Sequence, residues 1–355
     1  MRRTCGGVTT GLAMAGISLA LTAAPAKAQG PSIDDVRIVV RDTVKEVIRS
    51  AEAMRTARAY QGRSGPEQTE RFSRKVRIAR DGRVSISNIS GDIVVSAGSG
   101  DEVSIEAVKH TRGGASELQS VHIEVTERGG GVDVRTDHTA RNDRAWVDYT
   151  VTMPAGASIT AHSVSGSVKV TGIRGSARVE SVSGNVTAAD TPKLEAAKSV
   201  SGSVTVSGVS TDGELAASSV SGNVAARSIK VRSLDLGSVS GDVTITDAAC
   251  DRLSVKSTSG DVEYSGSINR GGTYEINAHS GDVRLTLSNP AGFVLTASSF
   301  SGSVRSDLPL TIGGDARDRD NRRGVGRHSM RATYGDGSAT LNVRTFSGDI
   351  IVAKR

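Results

Sequence analysis

The sequence has few of the residues that fill a wide core. Among 355 residues, ten are aromatic: four Phe, five Tyr and one Trp. The interior must therefore be built from Val, Ile, Leu and Ala, which suits narrow coils better than a broad globule. Cysteine is nearly absent, with only Cys5 and Cys250. Cys5 falls in a leader-like segment, so the processed chain would hold one thiol and no internal disulfide, and Cys250 is expected to be buried. Beyond that leader no stretch approaches the ~18 consecutive apolar residues of a membrane helix, so no transmembrane span is expected in the mature chain. Charge of one sign is also scarce. The net charge is +6, and loss of Arg2, Arg3 and Lys27 with the leader leaves +3. That is too mild to argue for nucleic acid.

Signatures of chemistry are missing as well. None of the six histidines lies three to five residues from another His or from a Cys pair, the spacing that metal sites use. H-E-x-x-H, G-x-S-x-G and G-x-x-x-x-G-K do not occur. No catalytic residue, metal or cofactor is therefore expected.

What is present is a repeat. The phrases SVSGSV (163–168), SVSGNV (181–186), SVSGSV (199–204), SVSGNV (219–224), SVSGDV (238–243), STSGDV (257–262), AHSGDV (278–283) and SFSGSV (299–304) succeed one another. Their Ser-Gly pairs are 18, 18, 20, 19, 19, 21 and 21 residues apart. Outlying copies are NISGDI (88–93) and TFSGDI (345–350). A period near 20 marks units that cannot bury an apolar face alone and must stack. After each phrase the alternation has period two, as in Val243-Thr244-Ile245, which reads as a half-buried strand.

The glycines Gly91, Gly166, Gly184, Gly202, Gly222, Gly241, Gly260, Gly281, Gly302 and Gly348 are read as structural corners, where φ > 0 costs nothing. The fold class is all-β: a parallel β-solenoid of 18–21-residue coils. An antiparallel meander or sandwich, with Ser-Gly at hairpin tips, remains open. His279 stands where the phrase usually has valine and is expected to be partly buried. Asp242, Asp261 and Asp282 recur because the turn recurs, each expected to cap a local backbone N–H. At most weak calcium binding is expected of them.

In chain order, residues 1–28 resemble a signal peptide, with Arg2-Arg3, an apolar run and Ala26-Lys27-Ala28 before Gln29. Residues 31–61 read as an amphipathic helix, its stripe formed by Ile33, Val36, Val40, Val44, Val47, Ala51 and Met54. Three roles are open for it: a lid on the first coil, contact with a partner through 33–60, or a membrane surface. A polar linker (62–71) follows, then an irregular β region (72–153), then the repeat solenoid (154–355). A charged loop at 313–329 interrupts the last part. Its Arg317, Arg319, Arg322, Arg323 and Arg327 fit either a solvated excursion or a binding loop for an anionic glycan or lipid headgroup.

Val84-Ser85-Ile86, NISGDIVV, GSGDEVSIEA, VDYTVTMPAGASITAHSVSGSVKV (147–170) and GDGSATLNVRTFSGDIIV (335–352) resemble the bacterial putative-adhesin family of β-strand-repeat proteins, over about residues 72–353. The family's function is unknown, and the resemblance brings no catalytic residues. It implies an exported, solenoid-like domain that is periplasmic, at the cell surface or secreted. The function expected is non-enzymatic: surface attachment, scaffolding or recognition at the envelope, with a glycan, protein or other envelope component as partner. A partner-binding or ligand-sensing module in envelope stress signalling is the alternative. A carbohydrate-active β-helix enzyme is the third reading.

Overall fold

Repeating V-x-V segments separated by small polar residues can satisfy their backbone only by pairing with neighbours of the same kind. The computed structural model shows that pairing. It describes residues 67–139, 144–288, 290–312 and 328–354. The segments read as a signal peptide (1–28) and as an amphipathic helix (31–61) lie outside the described residues.

The irregular region forms β1 (Gln68–Arg77), β2 (Arg83–Ser90), β3 (Ile93–Gly98) and β4 (Glu102–Thr111). A short helix α1 (Ala115–Gln119) follows, then β5 (Val121–Arg128), β6 (Gly131–His138) and β7 (Trp146–Pro154). The repeats give β8 (Ser158–Ser165), β9 (Val168–Thr171), β10 (Ala177–Ser183), β11 (Val186–Ala189), β12 (Leu194–Ser199), β13 (Val204–Ser210) and β14 (Glu214–Ser221). They continue as β15 (Val224–Ser240), β16 (Val243–Ser259), β17 (Val262–Gly266), β18 (Thr273–Ser280) and β19 (Val283–Leu287). Last come β20 (Phe293–Ser301), β21 (Val304–Ser306), β22 (Thr311–Ile312), β23 (His328–Tyr334), β24 (Ala339–Ser347) and β25 (Ile350–Lys354). β1 begins at Gln68, so the end of the segment read as a linker is strand. Its polar sequence hid this, because an edge strand needs little apolar surface.

Every coil has one side that runs into its Ser-Gly phrase and one that leaves it. Both sides stack in parallel and in register. Val168, Val186, Val204, Val224, Val243, Val262 and Val283 sit one above another, each at most 1% exposed. Burying each such side chain is worth about 1.5–3 kcal/mol. This register is that of a parallel solenoid and not of a meander.

Two columns of small residues turn each coil. At the Ser-Gly corner, Gly91, Gly166, Gly241, Gly260, Gly281, Gly302 and Gly348 have φ between 108° and 158°. Gly184, Gly202 and Gly222 are not among the positive-φ residues, so φ cannot be their requirement. The requirement is space. A Cβ on Gly202 would press into the carbonyl of Gly184, and one on Gly222 into that of Gly202. The second corner is left-handed at Gly172, Asp190, Gly208, Ser228 and Asp247, with φ of 77°, 50°, 67°, 53° and 54°. Three of these five are not glycine, which is why the period-20 phrase did not reveal the corner.

The first serine of the phrase points inward. Ser181, Ser199, Ser219 and Ser238 donate to the carbonyls of Gly166, Gly184, Gly202 and Gly222, at 2.8–3.0 Å. A polar column inside an apolar core is thereby satisfied.

The order of coils in space departs from the order in sequence at both ends. β24 lies between β18 and β20, and β25 between β19 and β21. The C-terminal coil is thus wedged inside the coil that precedes it in the chain. Likewise β2 lies between β6 and β8, and β3 between β7 and β9. Antiparallel strands close the stack: β5 on β6 and the pair β4–β1 on β7 at one end, β23 and β22 on β20 at the other. Within the irregular β region (72–153), β2 and β3 thus form a full coil of the stack.

Candidate functional site

The second residue of each phrase points outward, because side chains alternate across a strand. In spatial order these residues are Ile89, Val164, Val182, Val200, Val220, Val239, Thr258, His279, Phe346 and Phe300. They form one ridge along the corner, apolar except at Thr258 and His279. Among the described residues the exposed large apolar side chains are Ile89 (42%), Val94 (40%), Phe300 (43%) and Phe346 (50%), and three of the four lie on this ridge.

The ridge ends in a stack of rings. Phe300 and Phe346 have centroids 4.8 Å apart with planes within 6°, and His279 stacks on Phe346 at 5.1 Å. The ring spacing is that of the strands beneath. His279 is exposed, which corrects the expectation of partial burial. Its column faces solvent and the ring is supported by Phe346 from the intercalated coil. Phe346 is covered on both faces and presents its edge.

Charge flanks the ridge on both sides. On the corner side lies a ladder in which each side chain accepts the backbone N–H of the next level. Asn223 Oδ1 accepts from Asp242 N at 3.0 Å, Asp242 from Asp261 at 3.0 Å, and Asp261 from Asp282 at 2.8 Å. Asp282 then accepts from Asp349 at 2.8 Å and Asp349 from Ser303 at 2.7 Å. The expectation of local capping is therefore corrected: the acceptors reach across coils. One oxygen of each carboxylate is used in this way. The Ser303 backbone N–H holds the Asp349 carboxyl below its ordinary range. On the other side of the ridge, two residues before it, stand Lys198, Lys256 and Arg344, together with Glu180 beside His162.

Other clusters are structural. His110 stacks on Trp146 at 5.1 Å and lies between Glu67 (2.8 Å) and Asp148 (3.3 Å) at the β4–β7 edge. Tyr274 donates to the Cys250 carbonyl at 2.7 Å, and Cys250 is buried. Burial pushes the Cys250 thiol and the Tyr149 and Tyr274 hydroxyls up to about 12, the opposite of activation. A groove of about 570 Å³ on the outer sheet face is lined by Arg178, Lys193, Glu195, Glu214 and Asp235, with Arg178 and Glu195 paired at 3.4 Å. Among the described residues no three His, Cys, Asp or Glu side chains are grouped to hold a metal, and no helix is long and apolar enough to cross a membrane. Arg317, Arg319, Arg322, Arg323 and Arg327 lie outside the described residues.

No curated protein matches the chain. Among solved structures it is similar to a putative adhesin from Parabacteroides distasonis, at 12% identity, covering 81% of this chain and 97% of that one, with a TM-score of 0.39. It is similar to a putative lipid binding protein from the same species, at 12% identity, 80% and 97% coverage and a TM-score of 0.37. A putative adhesin from Bacteroides fragilis follows, at 12% identity, 79% and 96% coverage and a TM-score of 0.35. Residues 82–353 match the family described as Toastrack DUF4097, and the chain belongs to that family.

Proposed function

We propose that this is an exported, non-enzymatic protein of the bacterial envelope, acting in surface attachment, scaffolding or recognition through its ridge. The observation that carries this reading is the placement of the rings. A chain with ten aromatic residues exposes Phe300 and Phe346 side by side at the end of the ridge. Exposed contiguous apolar surface is kept where it meets a partner. The leader-like segment 1–28 supports export, and the buried, base-resistant hydroxyls and thiol favour contact over catalysis. The structural test is co-sedimentation of the processed chain (29–355) with purified envelope fractions. Wild type is expected to sediment, and a Phe300→Ser/Phe346→Ser variant with an unchanged melt to bind at least about tenfold more weakly. Equal binding by both proteins, or release of product from a polysaccharide panel, would count against the reading.

A further inference from the structure

We infer that the ridge is a self-association surface: two copies pack ridge to ridge, side by side, with their solenoid axes parallel. This deepens the reading above, since it rests on the ridge being a contact surface and names a second copy of this chain as its occupant.

Three features of the ridge carry the inference. The first is its period. Ten outward positions from Ile89 to Phe300 repeat at the strand spacing, so the ridge is roughly 43 Å long with a side chain every ~4.8 Å. Another solenoid presents the same period, so that each level of one copy meets a level of the other. A helix or a bilayer has no such repeat. The second is its area. A strip of that length and about 12 Å wide gives a footprint of about 500 Å² per copy, near 1,000 Å² in all, the lower range of specific interfaces. The apolar content concentrates at the end where His279, Phe346 and Phe300 are stacked.

The third feature is the polarity of the rim. Asp242, Asp261, Asp282 and Asp349 line one side of the ridge, and Lys198, Lys256 and Arg344, with one acid, Glu180, beside His162, the other. Arg284 and Arg305 stand behind the acidic row, two residues further along their strands. A two-fold axis running along the ridge sets Lys256 against the second copy's Asp261 and Arg344 against its Asp349, each pair occurring twice. An axis across the ridge instead sets Lys198 against Lys256 and leaves the four aspartates facing uncharged Asn and Ser positions. Charge complementarity therefore selects the parallel arrangement, in which every ridge residue meets its own counterpart.

That last consequence gives the test. The processed chain has one cysteine, Cys250, and it is buried. Single variants Val182→Cys and Val239→Cys place one thiol on the ridge, where the side chain is half exposed and substitution leaves the core untouched. Under mild oxidation both are expected to form disulfide-linked dimers. In an antiparallel pair Val182 would face the level of His279, and Val182→Cys would not cross-link to itself. Sedimentation equilibrium of the wild type is expected to show a dimer that dissociates in the micromolar range, as so small an interface implies. Phe346→Asp, Phe300→Asp and Arg344→Glu are each expected to weaken it at least about tenfold, with unchanged melts. A wild type that stays monomeric at hundreds of micromolar, or ridge variants that leave the dimer intact, would overturn the inference. If the wild type is monomeric while the serine pair still abolishes envelope binding, the proposed function stands without self-association. If dimers form through the ridge and envelope binding ignores the serine pair, the reverse holds.

Discussion

At the scale of single residues, the corner glycines separate two reasons for lacking a side chain. Gly271 has φ of 74° with nothing within 4 Å of a built Cβ, so its need is conformational. Gly202 is not a positive-φ residue, but its Cβ would lie against the Gly184 carbonyl and 3.1 Å from Asn185 N. Backbone cannot yield there without parting two coils. Gly271→Ala should therefore cost about 1–2 kcal/mol, the usual penalty for a side chain in the left-handed region. Gly202→Ala should cost about 2–4 kcal/mol, since overpacking adds to lost pairing. Urea melts of both variants would measure the difference, and a Gly202→Ala penalty at or below that of Gly271→Ala would refute the close-approach account. The glycine column was plain in the sequence. Its cause was not, because the obstructing atom belongs to a residue 18 positions away. The same holds for the inward serines. Ser238 reads in one dimension only as a polar residue of the phrase, and only the stack reveals the Gly222 carbonyl that it meets.

Among elements, the coil was legible and the order of coils was not. Val243-Thr244-Ile245 carries its own alternation, so strand and burial follow from the local pattern. Every coil, however, offers the same V-x-V edges to a neighbour, and nothing local says which neighbour that is. The intercalation of β24 and β25 is consistent with the ladder. Inside the stack, Asp349 caps the Ser303 N–H, whereas at the outermost level its carboxylate would have no coil beyond it to cap. The same placement puts Phe346 between His279 and Phe300 and so completes the ring stack, a site that sequence order would not have assembled. Removal of residues 336–355 should then do more than shorten the solenoid. β20 and β21 lose their parallel partners, and the apolar edges of β18 and β19 open. Hydrogen exchange of the truncated chain is expected to lose protection throughout 293–306 while 177–259 stays protected, as coils depend chiefly on neighbours. Retained protection in β20 would mean that it can dock directly on β18 and that the wedge is dispensable.

At the scale of the molecule, stability should be bounded on both sides of neutral pH by groups of different kinds. On the acid side, Asp349 and Asp336 are held below the ordinary carboxylate range by Ser303 and Ser338 respectively. A depressed folded-state pKa contributes stability that is present above the unfolded value, near 4, and lost as pH falls through the folded one. On the alkaline side the buried Tyr149, Tyr264, Tyr274 and Cys250 are all pushed up, chiefly by burial. A raised folded-state pKa contributes stability that is complete below the unfolded value, about 8.5 for a thiol and 10 for a phenol, and lost as pH climbs towards the folded one. For Tyr149, Tyr274 and Cys250 that upper bound is about 12. Melts from pH 3 to 11 should therefore be flat between about 5 and 8 and fall at both ends, by roughly 5 °C or more between pH 9 and 11. Tyr149→Phe keeps the ring in the core but gives up the 2.6 Å hydrogen bond with Thr136. It should lower the plateau slightly and make the alkaline limb shallower. A limb unchanged by that substitution and by Tyr274→Phe would show that base reaches the core by some route other than these hydroxyls. The narrow coil leaves few groups to titrate inside it, so each one removed should be visible in the profile.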